Sequence, residues 1–258
     1  MIKSPITHTL TITLADAAGL AWAQRTVTVH HYLRAPVDPR ARPMAYIIRR
    51  ETTAMQWEAS EPKPYPKSVW LPPGHPTTYK AARLEATQTS ERVGLVMLGI
   101  PHATKCSGWW GYPGLPTQWQ VVDLCRIYLD PAVQYGGQWC EPGEVPGYVD
   151  RKGRWRPTVA TWAIGEVLAR VQADRVRLWP PVYPAQPYHI ELAISYSDPK
   201  YHKGTIYRQA NALPMYTDGS GAPIPGPSGK YGWAWWLPAP QWTWQDLECI
   251  KPRTMRLF

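Results

Sequence analysis

Phenylalanine is almost missing from this chain. One Phe stands beside fifteen Trp and fifteen Tyr, so nearly all the aromatic surface carries a polar handle as well as a flat face, a combination suited to stacking on bases or sugars. Cysteine is scarce too. Cys106, Cys125, Cys140 and Cys249 form no Cys-x-x-Cys pair, which argues against a zinc ribbon and leaves free thiols in a reducing cytoplasm as the expectation. No run approaches the ~18 apolar residues of a membrane helix. Met1 to Leu20 lacks the basic start and apolar run of a signal peptide, so a cytoplasmic location is expected. Acidic residues are outnumbered, 19 against 28 Lys and Arg, giving a formal charge of +9 and a pI near 9.4. That balance favours a polyanionic partner, nucleic acid being the obvious one, over a merely basic surface. No internal repeat is visible.

With 258 residues the chain can bury one substantial core and carry insertions, so one elaborated domain over 1–258 is expected. Its 29 prolines imply long, ordered, non-helical loops. Ile6 to Leu14 alternates apolar residues with Thr and reads as a strand, His8 taking one place on the apolar side. Asp16 to Gln24 reads as a short helix or turn. Val27 to Leu33 could end a strand or open a helix. Ala45 to Arg49 is a strand, and Arg92 to Pro101, apolar on both faces, is the clearest central one. Gln120 to Leu129 is the next. Thr158 to Gln172 is the best helix, with Val159, Trp162, Ala163, Val167, Leu168 and Val171 at helical spacing behind Pro157. Pro- and Trp-rich insertions are expected at 57–80, 134–156 and 173–190, and a Trp-rich extension at 218–258, within which Trp233 to Leu237 reads as an edge strand.

The most informative run is Ile194 to Asn211. An apolar strand, Leu192 to Ile194, leads into a turn on Pro199 and Gly204 that carries Tyr196, Asp198 and His202, and then into a helical stretch from which Tyr207 should project. Groups able to move protons or bind metal thus collect at the C-terminal end of a strand, where α/β folds bind ligands. A solvated polar turn between strand and helix is the plainer reading.

Tyr-Ser-Asp-Pro at 196–199, His-Lys-Gly-Thr-Ile-Tyr at 202–207 and His-His-Tyr-Leu at 30–33 together resemble the Mu-type Mom proteins, phage DNA-modification enzymes related to GNAT N-acyltransferases. The resemblance covers mainly residues 25–50 and 118–217. It implies a GNAT-like α/β fold, a mixed central sheet flanked by helices, in which two central parallel strands splay apart and the acyl donor enters the gap. The strand, strand, helix, strand, helix order over 92–212 is compatible with that core. The resemblance further implies double-stranded DNA as substrate, an acetamido (carbamoylmethyl) or related acyl-derived group placed on adenine N6, protection from host restriction, and a location in the cytoplasm of an infected bacterial host. His31, Tyr32, Asp198 and Tyr207 are the matched catalytic positions. His202, Ser197 and Tyr196 are further candidates. Tyr201 stands before His202 where the family has Gly, and the turn is one residue shorter. Thr158 or Thr161 corresponds to a polar residue near the cofactor.

His, Tyr and carboxylate groups can deprotonate an amine and stabilise charge on a carbonyl. They can also bind an iron-type divalent ion, and His31, Tyr32, Asp198 and His202 would be the ligands of such an Fe(II). Acetyl-CoA or a related acyl donor is implied by the family. The Gln/Arg-x-x-Gly-x-Gly/Ala loop that holds its pyrophosphate in GNAT enzymes is missing, Gly136-Gly137 being the nearest glycine pair. A duplex base must be flipped to react; Trp109, Trp110 and Tyr112 are candidates to hold it. Arg34, Arg40, Arg42, Arg49 and Arg50, with Lys200, Lys203 and Arg208, are candidate phosphate contacts. Two other classes compete: an ordinary GNAT N-acyltransferase acting on a small amine or a protein, and a noncatalytic basic DNA-binding protein. The oligomeric state stays open, a homodimer being one option.

Overall fold

Apolar runs that cannot stay in water become the middle strands of one sheet. The computed structural model describes residues 6–31, 33–59, 63–64, 78–79, 82–101, 120–134, 147–149, 155–178 and 189–237. In chain order the elements are β1 (Ile6–Leu14), α1 (Ala17–His30), β2 (Met44–Ala59), β3 (Lys63–Pro64), β4 (Thr78–Tyr79), β5 (Ala82–Gly99), β6 (Val121–Leu129), α2 (Pro131–Gln134), β7 (Gly147–Val149), β8 (Trp155–Pro157), α3 (Val159–Leu178), β9 (Leu192–Ser197), α4 (Thr205–Gln209), β10 (Leu213–Pro214) and β11 (Tyr231–Trp236).

Seven strands form one sheet in the order β1-β2-β5-β6-β9-β11-β10. Every neighbouring pair is antiparallel except β6 and β9, which are parallel. The expected mixed α/β class is thus what the chain adopts. Leu95, Val96, Met97 and Leu98 are all fully buried, because helices cover both faces of β5 and alternation gives each face a pair of them. On one face α3 lays Val159, Ala163, Ile164, Val167 and Val171 against Tyr46, Ile48, Val96, Leu98, Val122 and Leu124. Each fully buried aliphatic side chain there is worth about 1.5–3 kcal/mol. The Tyr46 hydroxyl donates to Asp174 Oδ2 at 2.9 Å and the Arg170 guanidinium sits over its ring, which ties α3 to β2. Burial, then the Asp174 acceptor, push that phenol far above its ordinary range, so it stays a donor. On the other face α1 packs Ala23 and Val27 on Ala45, Ile47, Leu95 and Met97.

β6 and β9 pair only from Val121–Leu192 to Leu124–Ser195. Past that point β6 follows β5 as far as Leu129, and β9 follows β11 as far as Ser197. The two halves of the sheet therefore part at Leu124 and Ser195, where the Ser195 hydroxyl donates to the Leu124 carbonyl at 3.0 Å. A register shift between Met97 and Leu98, which face Arg126 and Leu124 respectively, leaves Cys125 as an extra residue at the fork. Such a bulge re-aims the side chains beside it. Here Cys125 packs with the α1-side cluster, and Arg126, paired with Met97 of that cluster, turns to the same face.

Several expectations need correction. Val27 to His30 are the last turn of a continuous helix α1, because Asp16 caps its start by accepting from the Gly19 N–H at 2.7 Å and Val27 is a core residue on its buried face. β2 and β5 extend as a long antiparallel pair to Ala59 and Ala82, with β3 and β4 paired beyond, so the 57–80 arm begins as strand. The stretch 134–156 was expected to be all loop, yet it opens on the last residue of α2 and holds β7 and most of β8, a two-stranded pair. α3 runs to Leu178, so helix occupies the start of the expected insertion at 173–190. β11 is not an edge strand: it lies between β9 and the two-residue β10. The side chain of His8 lies outside the described residues.

Candidate functional site

The site grows from the end of β9. Asp198 follows the last strand residue and builds the turn itself. Its carbonyl accepts from the N–H of Tyr201 and of His202, at 3.0 and 2.8 Å, and its Oδ1 accepts from the Lys200 N–H at 2.9 Å, the side-chain-to-backbone pattern that makes Asp a turn former. Gly204, with φ +71, ends the turn and caps α4. Its carbonyl accepts from the N–H of Tyr207 and of Arg208.

Behind the turn stands Trp233 of β11, fully buried. Its indole N–H donates to Ser197 Oγ at 2.8 Å, and its ring stacks on Tyr207 with centroids 5.8 Å apart. The Trp235 ring meets Tyr207 edge-on at the same separation, and the Trp235 indole N–H donates to the Ala210 carbonyl at 2.8 Å. Tyr207 projects from α4, as expected, and does so into the core, 8 % exposed, because two indoles supply the surface it needs. Ser197, 1 % exposed, accepts the indole hydrogen bond. These two residues hold the turn from beneath. Tyr196 alternates to the other face and packs with Val121, Ile194 and Met215.

His31 arrives from the opposite side of the fork. It is the C-cap of α1, its N–H donating to the Val27 carbonyl at 3.1 Å. Its Nδ1 accepts from the Leu33 N–H at 3.2 Å. Burial first, then the Arg126 guanidinium, then His202 hold its pKa down to about 4. His202 keeps an exposed edge; crowding lowers its pKa and the Asp198 carboxylate partly offsets that. Both imidazoles are thus neutral at pH 7. His31, Arg126, His202 and Asp198 form one electrostatic unit, drawn from α1, the bulge of β6 and the β9–α4 turn. Next to it His30 stacks on Tyr128 at 5.1 Å.

Arg126 was not among the residues singled out by sequence, and neither was Asp123. Asp123 pairs with Gly99 and Ile194 and is 2 % exposed, just before the fork. A signal existed for both: two charges inside a strand that is otherwise apolar on both faces need a reason to be there. Cys125 is half-buried, its thiol donating to the Asp123 carbonyl at 3.2 Å.

The candidate phosphate contacts divide. Arg34, Lys200, Lys203 and Arg208 are exposed around His31 and the β9–α4 turn, and Lys200 Nζ lies over the Tyr201 ring. Arg49 and Arg50 are on β2, two strands from β6, and Arg50 is ion-paired with Glu91. Arg40 is ion-paired with Asp38, and Arg42 caps a 3-10 turn in the left-handed region. Thr158 and Thr161 sit half-buried at the start of α3. Tyr32, Trp109, Trp110, Tyr112 and Gly136-Gly137 lie outside the described residues. Among the described residues no group of three His, Cys, Asp or Glu side chains is placed to hold a metal ion; Tyr32, one of the four expected iron ligands, lies outside them.

Removing the Tyr207 hydroxyl separates packing from chemistry. Tyr207→Phe keeps both ring contacts, so thermal stability should stay within about 1 kcal/mol of the parent, while a catalytic phenol would show as lost product in the assay described below. Equal loss of stability and activity would make Tyr207 structural only.

The chain matches none of the known protein families against which it was compared, and none of the curated proteins.

Proposed function

We propose that this chain is a DNA-modifying transferase that places an acetamido (carbamoylmethyl) or related acyl-derived group on adenine N6 of duplex DNA, with a GNAT-like sheet as its scaffold. The observation that carries this reading is that the His31 imidazole comes within electrostatic reach of His202, which in turn has the Asp198 carboxylate near it. The two motifs that resemble Mom proteins are far apart in sequence, and their ionisable groups converge at one fork between parallel strands. The basic residues round the turn suit a phosphate backbone.

Adenine N6 is a poor nucleophile because its lone pair is delocalised into the ring. In the transfer N6 forms a bond to the incoming carbon, the bond from that carbon to its carrier breaks with the electron pair leaving on the carrier, and N6 gives up one proton. His202, neutral and backed by Asp198, is placed to take the proton. Arg126 adds fixed positive charge beside His31. A carbamoylmethyl group is joined through its methylene and would need a donor with its leaving group on that carbon. An acyl thioester, when bound, would supply an electrophilic carbonyl carbon with a thiolate leaving group and so deliver an N6-acyl product. The backbone of β6 after Leu124 and of β9 after Ser195, no longer paired with each other, would hold the amide-rich arm of such a donor. No step is assigned to a bound iron. A substituent on N6 changes the major-groove edge that endonucleases read, which accounts for an anti-restriction role.

The test is nucleoside mass spectrometry on DNA from bacteria expressing the protein. A new adenosine-derived mass, absent when Asp198→Ala is expressed, is the expected result. An unaltered profile with soluble, folded protein overturns the reading. The same fork also serves an N-acyltransferase acting on a small amine, and thioester turnover that needs no DNA would select that alternative.

A further inference from the structure

We infer that His31 acts in this site as a hydrogen-bond donor through Nε2, not as a base or a metal ligand. The inference starts from backbone geometry. α1 ends at His30, the chain turns extended at His31 (φ −78, ψ 143), and the Arg34 N–H closes the turn on the His31 carbonyl at 2.8 Å. That turn swings the Leu33 N–H onto the imidazole of His31, which receives it at Nδ1, 3.2 Å away. A ring nitrogen that accepts an N–H keeps its lone pair, so the proton of the neutral ring is on Nε2. For Nε2 to take a proton from substrate or to bind a metal, Nδ1 must carry the hydrogen instead. It would then point at the Leu33 N–H, donor against donor, and a backbone hydrogen bond worth about 1 kcal/mol would be lost along with it.

The surroundings act in the same direction. Arg126 faces His31 from the β6 bulge, so a second proton on the ring is opposed by a fixed cation, as it is by the Leu33 N–H. His202 across the fork has its own carboxylate partner in Asp198 and is the better placed base. The two histidines are thereby given different tasks: His202 receives a proton, and His31 gives a hydrogen bond to the oxygen on which negative charge grows. This division rests on the transfer proposed above. The tautomer itself does not, and can be tested without any DNA.

The first measurement is the imidazole nitrogen spectrum of the full-length protein labelled with 15N-histidine, between about pH 6 and about pH 8, where an unperturbed histidine titrates. A neutral ring with its proton on Nε2 throughout is expected for His31. A proton on Nδ1, or displacement of the His31 signals on adding Fe(II), overturns the inference. The second compares His31→Gln, whose amide N–H stands near the place of Nε2–H and has no basic nitrogen, with His31→Ala. Gln should keep modification within about tenfold of the parent, and Ala should lose on the order of 100-fold, the usual effect of deleting one such donor. Gln as inactive as Ala overturns the donor role. If the parent protein modifies no DNA, the transfer reading fails while the nitrogen spectrum still decides the tautomer.

Discussion

Replacing Gly204 with alanine is expected to destabilise the protein by roughly 3 kcal/mol or more, the sum of two separate costs. The first is conformational. Gly204 sits at φ +71, where a Cβ meets the following carbonyl and costs about 1–2 kcal/mol. The second is steric. A Cβ built there lies 1.9 Å from Trp233 Cζ2 and 2.5 Å from Cε2, inside any tolerable contact. The indole cannot retreat, because Ser197 holds its N–H, Tyr207 stacks on its face and it is fully buried. Overpacking of that kind costs about 1–3 kcal/mol. Gly221→Ala is the control. It too has a positive φ, +84, but nothing lies within 4 Å of its Cβ, so it should show the conformational cost alone. Urea denaturation of both variants resolves the two contributions. If Gly204→Ala unfolds no more easily than Gly221→Ala, then Trp233 does not roof the turn, and the account of how the site is positioned falls with it.

Losing the Asp198 carboxylate should have the largest effect on activity. Asp198→Ala removes both the acceptor that shapes the turn and the charge that supports His202, and modification should fall by about 10²–10⁴-fold, as for loss of a working acid–base group. Asp198→Asn separates the two roles, because an amide oxygen can still accept from the Lys200 N–H while the charge is gone. The sign follows from the causes. A base works only when deprotonated, so activity fails as pH drops through the pKa of His202. In the parent, crowding lowers that pKa and Asp198 raises it. Without the carboxylate the pKa drops further, and the acid limb of the rate profile should move to lower pH while the plateau falls. A limb that stays in place or moves upward in Asp198→Asn would show that another group is the base. Product formation followed by nucleoside mass spectrometry across pH gives both quantities.

A related consequence concerns stability rather than rate. His31 in the fold is held near pH 4, well below its ordinary value of 6.5. As pH falls through that interval the unfolded chain takes up a proton that the folded one refuses, so stability is full above about 6.5 and declines towards 4. His31→Gln should flatten that part of the curve in denaturation measurements at a series of pH values. An unchanged slope would locate the acid sensitivity elsewhere.

How much of this was legible in the sequence can be judged residue by residue. β1, the apolar core of β5, β6 and the buried stripe of α3 follow from the spacing of their apolar residues, because period 2 and period 3.6 are set by local geometry. The turn after β9 was legible as well, since Pro199, Gly204 and an Asp able to bond its own backbone are chemical instructions for a turn. The chain at 27–30 was ambiguous: Val-Thr-Val favours a strand locally, and only the packing of Val27 against Ile47 and Met97 makes it helix. What the sequence alone settled, then, is where ionisable groups gather along the chain. Which of them face one another was decided by the tertiary structure. Tyr207 and Ser197 read as site residues, and only the β9–β11 pairing shows that Trp233 also packs both into the core. Arg126 was not singled out in the sequence at all; the extra residue at Cys125 places it on the α1 face. A side chain's role depends on what surrounds it, and in this sheet the surroundings come from strands that are distant in sequence and adjacent only in space.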